Sequence, residues 1–273
     1  MSYVQPIYPT DLKCNEWELI CDLFEVKNNK GKRGHPVKVC KCRVVNAILY
    51  VNRTGCQWRM MPKEYPNWST VYGYYWKWCK SGVWEQMNAR LVKKVRVKNG
   101  RDEQPSACVV DSQSVKTSEG GEERGVDVHK QTNGRKRHVL VDVLGLILMV
   151  KVTSASVQDA AGALLLLQCY FDLVKRSVYN RWCRLKLIWA DGAYTSKTEE
   201  IRNRFGWQLS GVLRPVNLKG WIALPHRWVI ERTFGWLGRY RRLARDYEHT
   251  IRSSESMTYI ASSRRMLRLA IYS

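Results

Sequence analysis

Ala107-Cys108-Val109-Val110-Asp111-Ser112 and Leu187-Ile188-Trp189-Ala190-Asp191-Gly192 are the two stretches on which the reading of this 273-residue chain turns. Each is an apolar run, long enough for a buried strand and too short for a helix, that ends in an aspartate followed by a small residue. In sheets with helices on their faces, ligands gather at strand ends. Two aspartates 191 − 111 = 80 positions apart can therefore converge on one spot. Hard oxygen donors in small number, leaving room for water and phosphate oxygens, suit magnesium. The bland reading stands beside it, because an aspartate is also a common way to open a turn.

The surrounding pattern predicts more short strands alternating with helices. His138–Val143 and Leu146–Thr153 form a hairpin turning at Leu144-Gly145, and Asp159–Lys175 a helix. Leu185–Ala190 and Gln208–Leu213 are strands with a short helix, Lys197–Phe205, between them. Pro225 suits the first position of a long final helix running to about Arg245. The order strand, hairpin, helix, strand, helix, strand, helix describes an α/β mixed sheet flanked by helices, the layout of the ribonuclease H-like fold.

Before residue 100 the periodicity is helical. Trp17, Ile20, Cys21 and Phe24 recur at i, i+3, i+4 and i+7, with Asn15 and Glu18 spaced as an N-cap and its partner. A second helix follows Pro36, and a fourth covers about Trp84–Val97. The third follows Trp68, with Tyr72, Tyr75, Trp76 and Cys79 as its apolar stripe and Gly82 just past its end. Arg90–Arg101, with six basic and no acidic residues, leads into Asn99-Gly100 and Pro105 as a connector. The division expected is an all-α, helix-turn-helix-type domain over residues 1–100 and a ribonuclease H-like domain over residues 101–273.

Composition narrows the partner. Lys and Arg number 46 against 24 Asp and Glu, a net charge of +22, in a chain that is 45% apolar: a folded protein seeking a polyanion. The longest apolar stretch, Val143–Val150, is far below the roughly 20 residues of a membrane span, and the first residues lack the order of a secretory signal. A cytoplasmic, nucleoid-associated protein is expected. Nine cysteines without a CxxC pair read as small buried residues, and Cys40, Cys42 and Cys56 have the wrong spacing for zinc.

A third carboxylate is best sought at Glu231. Glu231, Gly235 and Gly238 fall at i, i+4 and i+7 of the final helix, and each glycine costs about 1 kcal/mol there relative to alanine. Close approach of the sheet or of a nucleic-acid backbone would explain them. Ile230, Phe234 and Leu237 form the adjacent core stripe, while Arg232, Arg239, Arg241, Arg242 and Arg245 supply cations to the remaining surface. Arg135, Lys136 and Arg137, just before a central strand, read as phosphate contacts, as do Lys77 and Lys80 on the third helix. Tyr72 and Trp76 are assigned to packing, leaving Tyr74 and Trp78 for DNA. Asp142 is the rival acid, better suited to holding its turn or pairing with a base. Asp127, Glu122 and Glu123 lie in a Gly-rich stretch read as a mobile loop, and His129 and His138 read as solvated or structural.

Val110-Asp111-Ser112-Gln113-Ser114-Val115-Lys116, Gly134-Arg135-Lys136-Arg137-His138, Val141-Asp142-x-Leu144-Gly145-Leu146, Gln158-Asp159, Trp189-Ala190-Asp191-Gly192 and Ile230-Glu231-Arg232-Thr233-Phe234 closely resemble the DDE transposases of bacterial insertion sequences, specifically the insertion sequence 5 family. The first half resembles that family's helical DNA-binding domain through Leu49-Tyr50-x-x-Arg53-Thr54-Gly55-Cys56-Gln57-Trp58-Arg59 and Trp68-Ser69-Thr70-Val71-Tyr72. The resemblance implies that Asp111, Asp191 and Glu231 are a metal-binding triad and that Arg227 belongs to the family's Tyr-x-x-Arg-x-x-x-Glu signature. The signature's Tyr falls at Leu224 here, and its later basic residue at Arg239 rather than at Gly238.

The mechanism so implied uses two Mg²⁺ ions, with Mn²⁺ as a substitute, one shared by Asp111 and Asp191 and one held by Asp111 and Glu231. Water frees a 3′-OH at each element end, and that 3′-OH then attacks target DNA. Expected partners are the terminal inverted repeats, target DNA and a second protomer, with no membrane. Two competing readings are a nuclease of the same fold without strand transfer and a non-catalytic helix-turn-helix regulator.

Overall fold

The computed structural model describes residues 4–25, 39–118, 120–176, 184–212 and 227–272. Pro36, Leu224, Pro225 and most of the basic run from Lys27 to Arg43 lie outside the described residues.

The N-terminal helices are α1 (Cys14–Glu18), α2 (Lys41–Thr54), α3 (Trp68–Ser81) and α4 (Val83–Lys98). The first apolar stripe is split: α1 stops at Glu18, and Cys21–Phe24 is a 3-10 turn. Its cap is also displaced, with Lys13 at the N-cap and Glu16, not Glu18, bonding back to the Lys13 amide at 2.9 Å. α3 begins as expected, Asn67 accepting from the Ser69 amide at 3.0 Å, and ends on Gly82 at φ 70°, a left-handed conformation that suits a glycine. Its buried side, however, is Val71, Tyr75, Trp78 and Cys79. Tyr72 is exposed and Trp78 buried, the reverse of the sequence reading, because Trp78 packs among Phe24, Tyr74 and Trp84.

The second half contains β1 (Ala107–Lys116), β2 (Gly125–Asp127), β3 (Thr132–Asp142), β4 (Ile147–Ser154), α5 (Asp159–Arg176), β5 (Leu187–Asp191), α6 (Thr198–Phe205), β6 (Gln208–Val212), α7 (Arg227–Gly238), α8 (Arg241–Ala244) and α9 (Ile251–Tyr272). The sheet runs β2-β3-β1-β5-β6, with β4 also on β3. β3 pairs antiparallel with β1, β2 and β4, whereas β1–β5 and β5–β6 are parallel. This is the mixed sheet flanked by helices that the order of elements predicted.

Alternation along the strands sorts the core into two layers. Val109, Val139 and Val141 join a cluster with α2, α3, α4, α7 and α9; Cys108, Val110, Leu140, Ile188 and Ala190 join one with α5 and α6. The first cluster spans both halves of the chain. Tyr75 donates to the Ser253 carbonyl at 2.9 Å, Asn52 to that of Met257 at 3.0 Å and Asn88 to that of Ile147 at 2.7 Å.

The predicted final helix breaks after Gly238, where Tyr240 is extended, and α9 was not anticipated. α9 buries Ser253, Ser254, Ser256, Thr258, Ser262 and Ser263 together with its apolar residues. A helix covered all round shows no apolar stripe, so periodicity passes over it.

Candidate active site

Asp111 is not at a strand end. β1 continues to Lys116 along β3, but its pairing with β5 stops at Val109↔Trp189. That register matches each β1 residue to the one 80 positions later, and carried two residues onward it sets Asp111 beside Asp191, the last residue of β5. Both aspartates share the face of Val109 and Trp189, the face on which α7 lies against β1 and β5. Each accepts a hydrogen bond from the next backbone amide, Ser112 N at 2.7 Å and Gly192 N, and at Asp191, which caps the 3-10 turn after β5, the turn-opening role coexists with the clustering.

α7 brings the third acid. Its first residue, Arg227, places Nη1 3.2 Å from Asp191 Oδ2 and Nη2 3.8 Å from Glu231 Oε1. Asp191 and Glu231 are thus joined through a guanidinium, and both carboxylates remain solvent-facing. Among the described residues no three acid, His or Cys side chains close around a single point. Burial pushes the Asp111 carboxyl up to about 6; the Ser112 amide, Arg227 and Lys130 oppose this, and Asp191 adds to it.

What positions α7 was missed in the sequence. Asp142 is buried and ion-paired to the buried Arg96, and it accepts from the Leu144 and Leu146 amides at 3.0 and 2.9 Å, shaping the β3–β4 turn. On that turn Gly145 has φ 80°, and a Cβ there would meet Thr233 Oγ1 at 2.8 Å. Thr233 donates to the Gly145 carbonyl at 3.0 Å and Arg232 to that of Leu144 at 3.1 Å. The chain of contacts Arg96–Asp142–turn–Thr233 clamps α7 two residues from Glu231. Asp142 therefore fills both roles set for it, holding its turn and pairing with a base.

The basic run of β3 requires a correction. Arg135, Lys136 and Arg137 are all buried, so they are not the solvated phosphate contacts expected of them. Alternation sends Arg135 and Arg137 to one face. There Arg135 binds the carbonyls of Glu248 at 2.7 Å and His249 at 2.9 Å and pairs with Asp246, while Arg137 donates to the Leu243 carbonyl at 2.8 Å. Lys136 points to the other face, between Asp159 at 2.8 Å and Asp127 at 3.3 Å. Asp127, expected in a mobile loop, lies on β2; its carboxyl is held down at about 2 by the Ser114 hydroxyl, the Lys130 amide and Lys136. Arg242 is likewise internal, bonded to Glu248 at 2.8 Å. Of the remaining predicted contacts, Lys77, Lys80 and Arg239 are exposed, and Arg232 is half-buried with Trp228 and Trp236 against its guanidinium. Gly235 and Gly238 have nothing within 4 Å of a built Cβ, so the sheet does not approach them. His138 is buried, 3.0 Å from the Thr153 hydroxyl, and burial pulls it down to about 4.

The match to known families follows the same geography. Residues 102–264, more than half of the chain and all of the sheet, match the family model described as "Transposase DDE domain". The chain belongs to the DDE transposases. Residues 12–88 match a second model, "Putative transposase of IS4/5 family", which places this transposase in the IS4/5 superfamily. A curated relative, "Uncharacterized protein y4sN" of Sinorhizobium fredii, is 30% identical over 82 residues, 30% of this chain. The match covers 63% of that relative's length. No solved structure matches this transposase. Transposases of this type use a divalent metal, and among the described residues no helix is long and apolar enough to cross a membrane.

Proposed function

We propose that this chain is a transposase of the insertion sequence 5 type that binds the terminal inverted repeats of its element, cleaves the DNA ends and transfers the 3′-OH strands into target DNA. The observation that carries the reading is the shared register of Asp111 and Asp191 on parallel β1 and β5, with Arg227 tied to both Asp191 and Glu231.

The donors suit a divalent cation. Carboxylates are hard oxygen ligands, and an aspartate pushed up to about 6 beside a second one is a pair that a cation would relieve. Asp111, Asp191 and Glu231 would hold Mg²⁺, or Mn²⁺ in its place, which supplies activation of the attacking oxygen and stabilisation of the leaving one. Arg227, already between two of the acids, is placed to neutralise charge developing on the phosphate. Lys77 and Lys80 on α3 stand on the exposed side with Ser69 and Gly73, one stripe at i, i+4, i+8 and i+11, and are assigned to the DNA backbone. Arg239 and Arg232 of the α7 region join them. Residues 1–100 are proposed as the end-recognition part and residues 101–273 as the catalytic part, with a second protomer holding the other end.

The test is to incubate the full chain with Mg²⁺, a target plasmid and DNA carrying the inverted ends that flank its gene. Joined strands are expected. Cut ends without joined product would make the chain a nuclease, and binding without cutting a regulator.

A further inference from the structure

A cavity of about 620 Å³ lies where Tyr8–Thr10, α2, the end of α7 and α9 meet. Its wall includes Leu49, Tyr50, Arg53 and Thr54, a sequence motif for which the acids at β1, β5 and α7 have no use. Five arginines line it: Arg53, Arg239, Arg264, Arg265 and Arg268. Among the described residues only Arg264 of these has a carboxylate in ion-pair range, Glu16. Three of the others meet carbonyls and rings instead. Arg53 donates to the Arg239 carbonyl at 2.8 Å and lies over Tyr240, Arg268 reaches the Pro9 carbonyl at 3.4 Å, and Arg265 stands 3.2 Å from the Trp236 ring centre. Burial and the neighbouring Arg232 pull Arg265 down to about 10, against the opposing pull of Tyr240 and Asp142.

Four guanidinium groups without an ion pair among the described residues, three of them exposed at its rim, line one cavity and raise positive potential on whatever enters it. The volume fits one small-ligand-sized unit, and Tyr50 and Trp236 add flat apolar surface. Arg239 is the residue just past α7, and Glu231 to Gly238 rises about 10 Å along the helix axis, the reach of about three nucleotides of one strand of a duplex. We propose that this cavity is a second phosphate-binding site of the protein, holding the backbone of the same DNA strand whose reacting phosphate lies at Asp111, Asp191 and Glu231. The proposal rests on the DNA-joining reading above and adds to it where the strand is gripped.

The test uses the full chain carrying Asp111→Asn and Asp191→Asn, in chelator, so that nothing is cut, and reads binding to duplex DNA over a salt series. Arg265→Gln with Arg268→Gln in that background should weaken binding about tenfold and lower the salt slope by about two, since each lost phosphate contact retains roughly one counterion. Arg202→Gln, on exposed α6, should leave both unchanged. Should the paired change lower thermal stability, Arg239→Gln, at an exposed side chain, is read instead and should lower the slope by about one. Unchanged affinity and slope in all pocket variants, with the parent binding DNA, overturn the cavity's role and leave the transposase reading standing. A parent that binds no DNA overturns both. Inorganic pyrophosphate that displaces DNA at equal phosphate concentration would assign the cavity to a free phosphate ligand and overturn the strand.

Discussion

The Arg227 guanidinium lies 3.2 Å from the Asp191 carboxylate, joining the first residue of α7 to the last residue of β5. That contact registers a helix against the sheet at the point where the β1–β5 register brings Asp111 alongside, and it lets one cation serve two acids.

Asp111→Asn, Asp191→Asn and Glu231→Gln each remove a charge with little change in volume. Metal-dependent cleavage of element ends should fall by more than the roughly 10–100-fold that loss of an outer-shell partner costs, with DNA binding nearly retained. Gel-based cleavage and binding assays on the same preparations check this. Retained cutting in one variant removes that residue from the triad.

Asp142→Asn should behave differently. It leaves the buried Arg96 without its counter-charge, and breaking such a pair costs about 3–5 kcal/mol. Chemical denaturation should show that loss. An Asp142→Asn protein as stable as the parent, yet unable to cut, would return Asp142 to the list of ligands.

Gly235→Ala separates two explanations of the glycine stripe. With open space around the built Cβ, alanine should raise stability by about 0.5–1 kcal/mol. If a DNA backbone approaches this face, cleavage should drop severalfold at the same time. Raised stability with full activity would leave the stripe without a DNA contact.

His138 sets a pH dependence of stability. Its folded pKa, about 4, is below the unfolded value near 6.5, so the unfolded chain takes up the proton first. Its contribution is fully present above about pH 6.5 and is lost as pH falls toward 4, by at most about 3 kcal/mol. His138→Gln should show a correspondingly flatter fall of unfolding free energy in that window. Parallel curves for the two proteins would show that the ring is not buried neutral.

Local pattern was enough for much of this protein. The strands β4, β5 and β6, the helices α3, α4 and α5 and the Leu144-Gly145 turn could be placed within a few residues from apolar runs, caps and a glycine, because those signals act between neighbours along the chain. β1 and β3 were found, but each extends six residues further, through largely polar residues that carry no apolar run. The aspartates ending two apolar runs and the glutamate beside Arg227 were equally legible as candidates. Sequence could not say which bases face water. Arg135 and Arg137 find their acceptors, Leu243, Glu248 and His249, more than 100 residues away, and no local rule distinguishes such a run from a solvated one. α9 was invisible for a related reason: a helix enclosed on all sides by α2, α4 and β4 needs no polar face, so it carries no period to detect. The meeting of Asp111 with Asp191 was decided by tertiary structure as well. It depends on a strand register set between elements 80 residues apart, where a slip of one residue would send one of the two carboxylates through to the α5 side of the sheet.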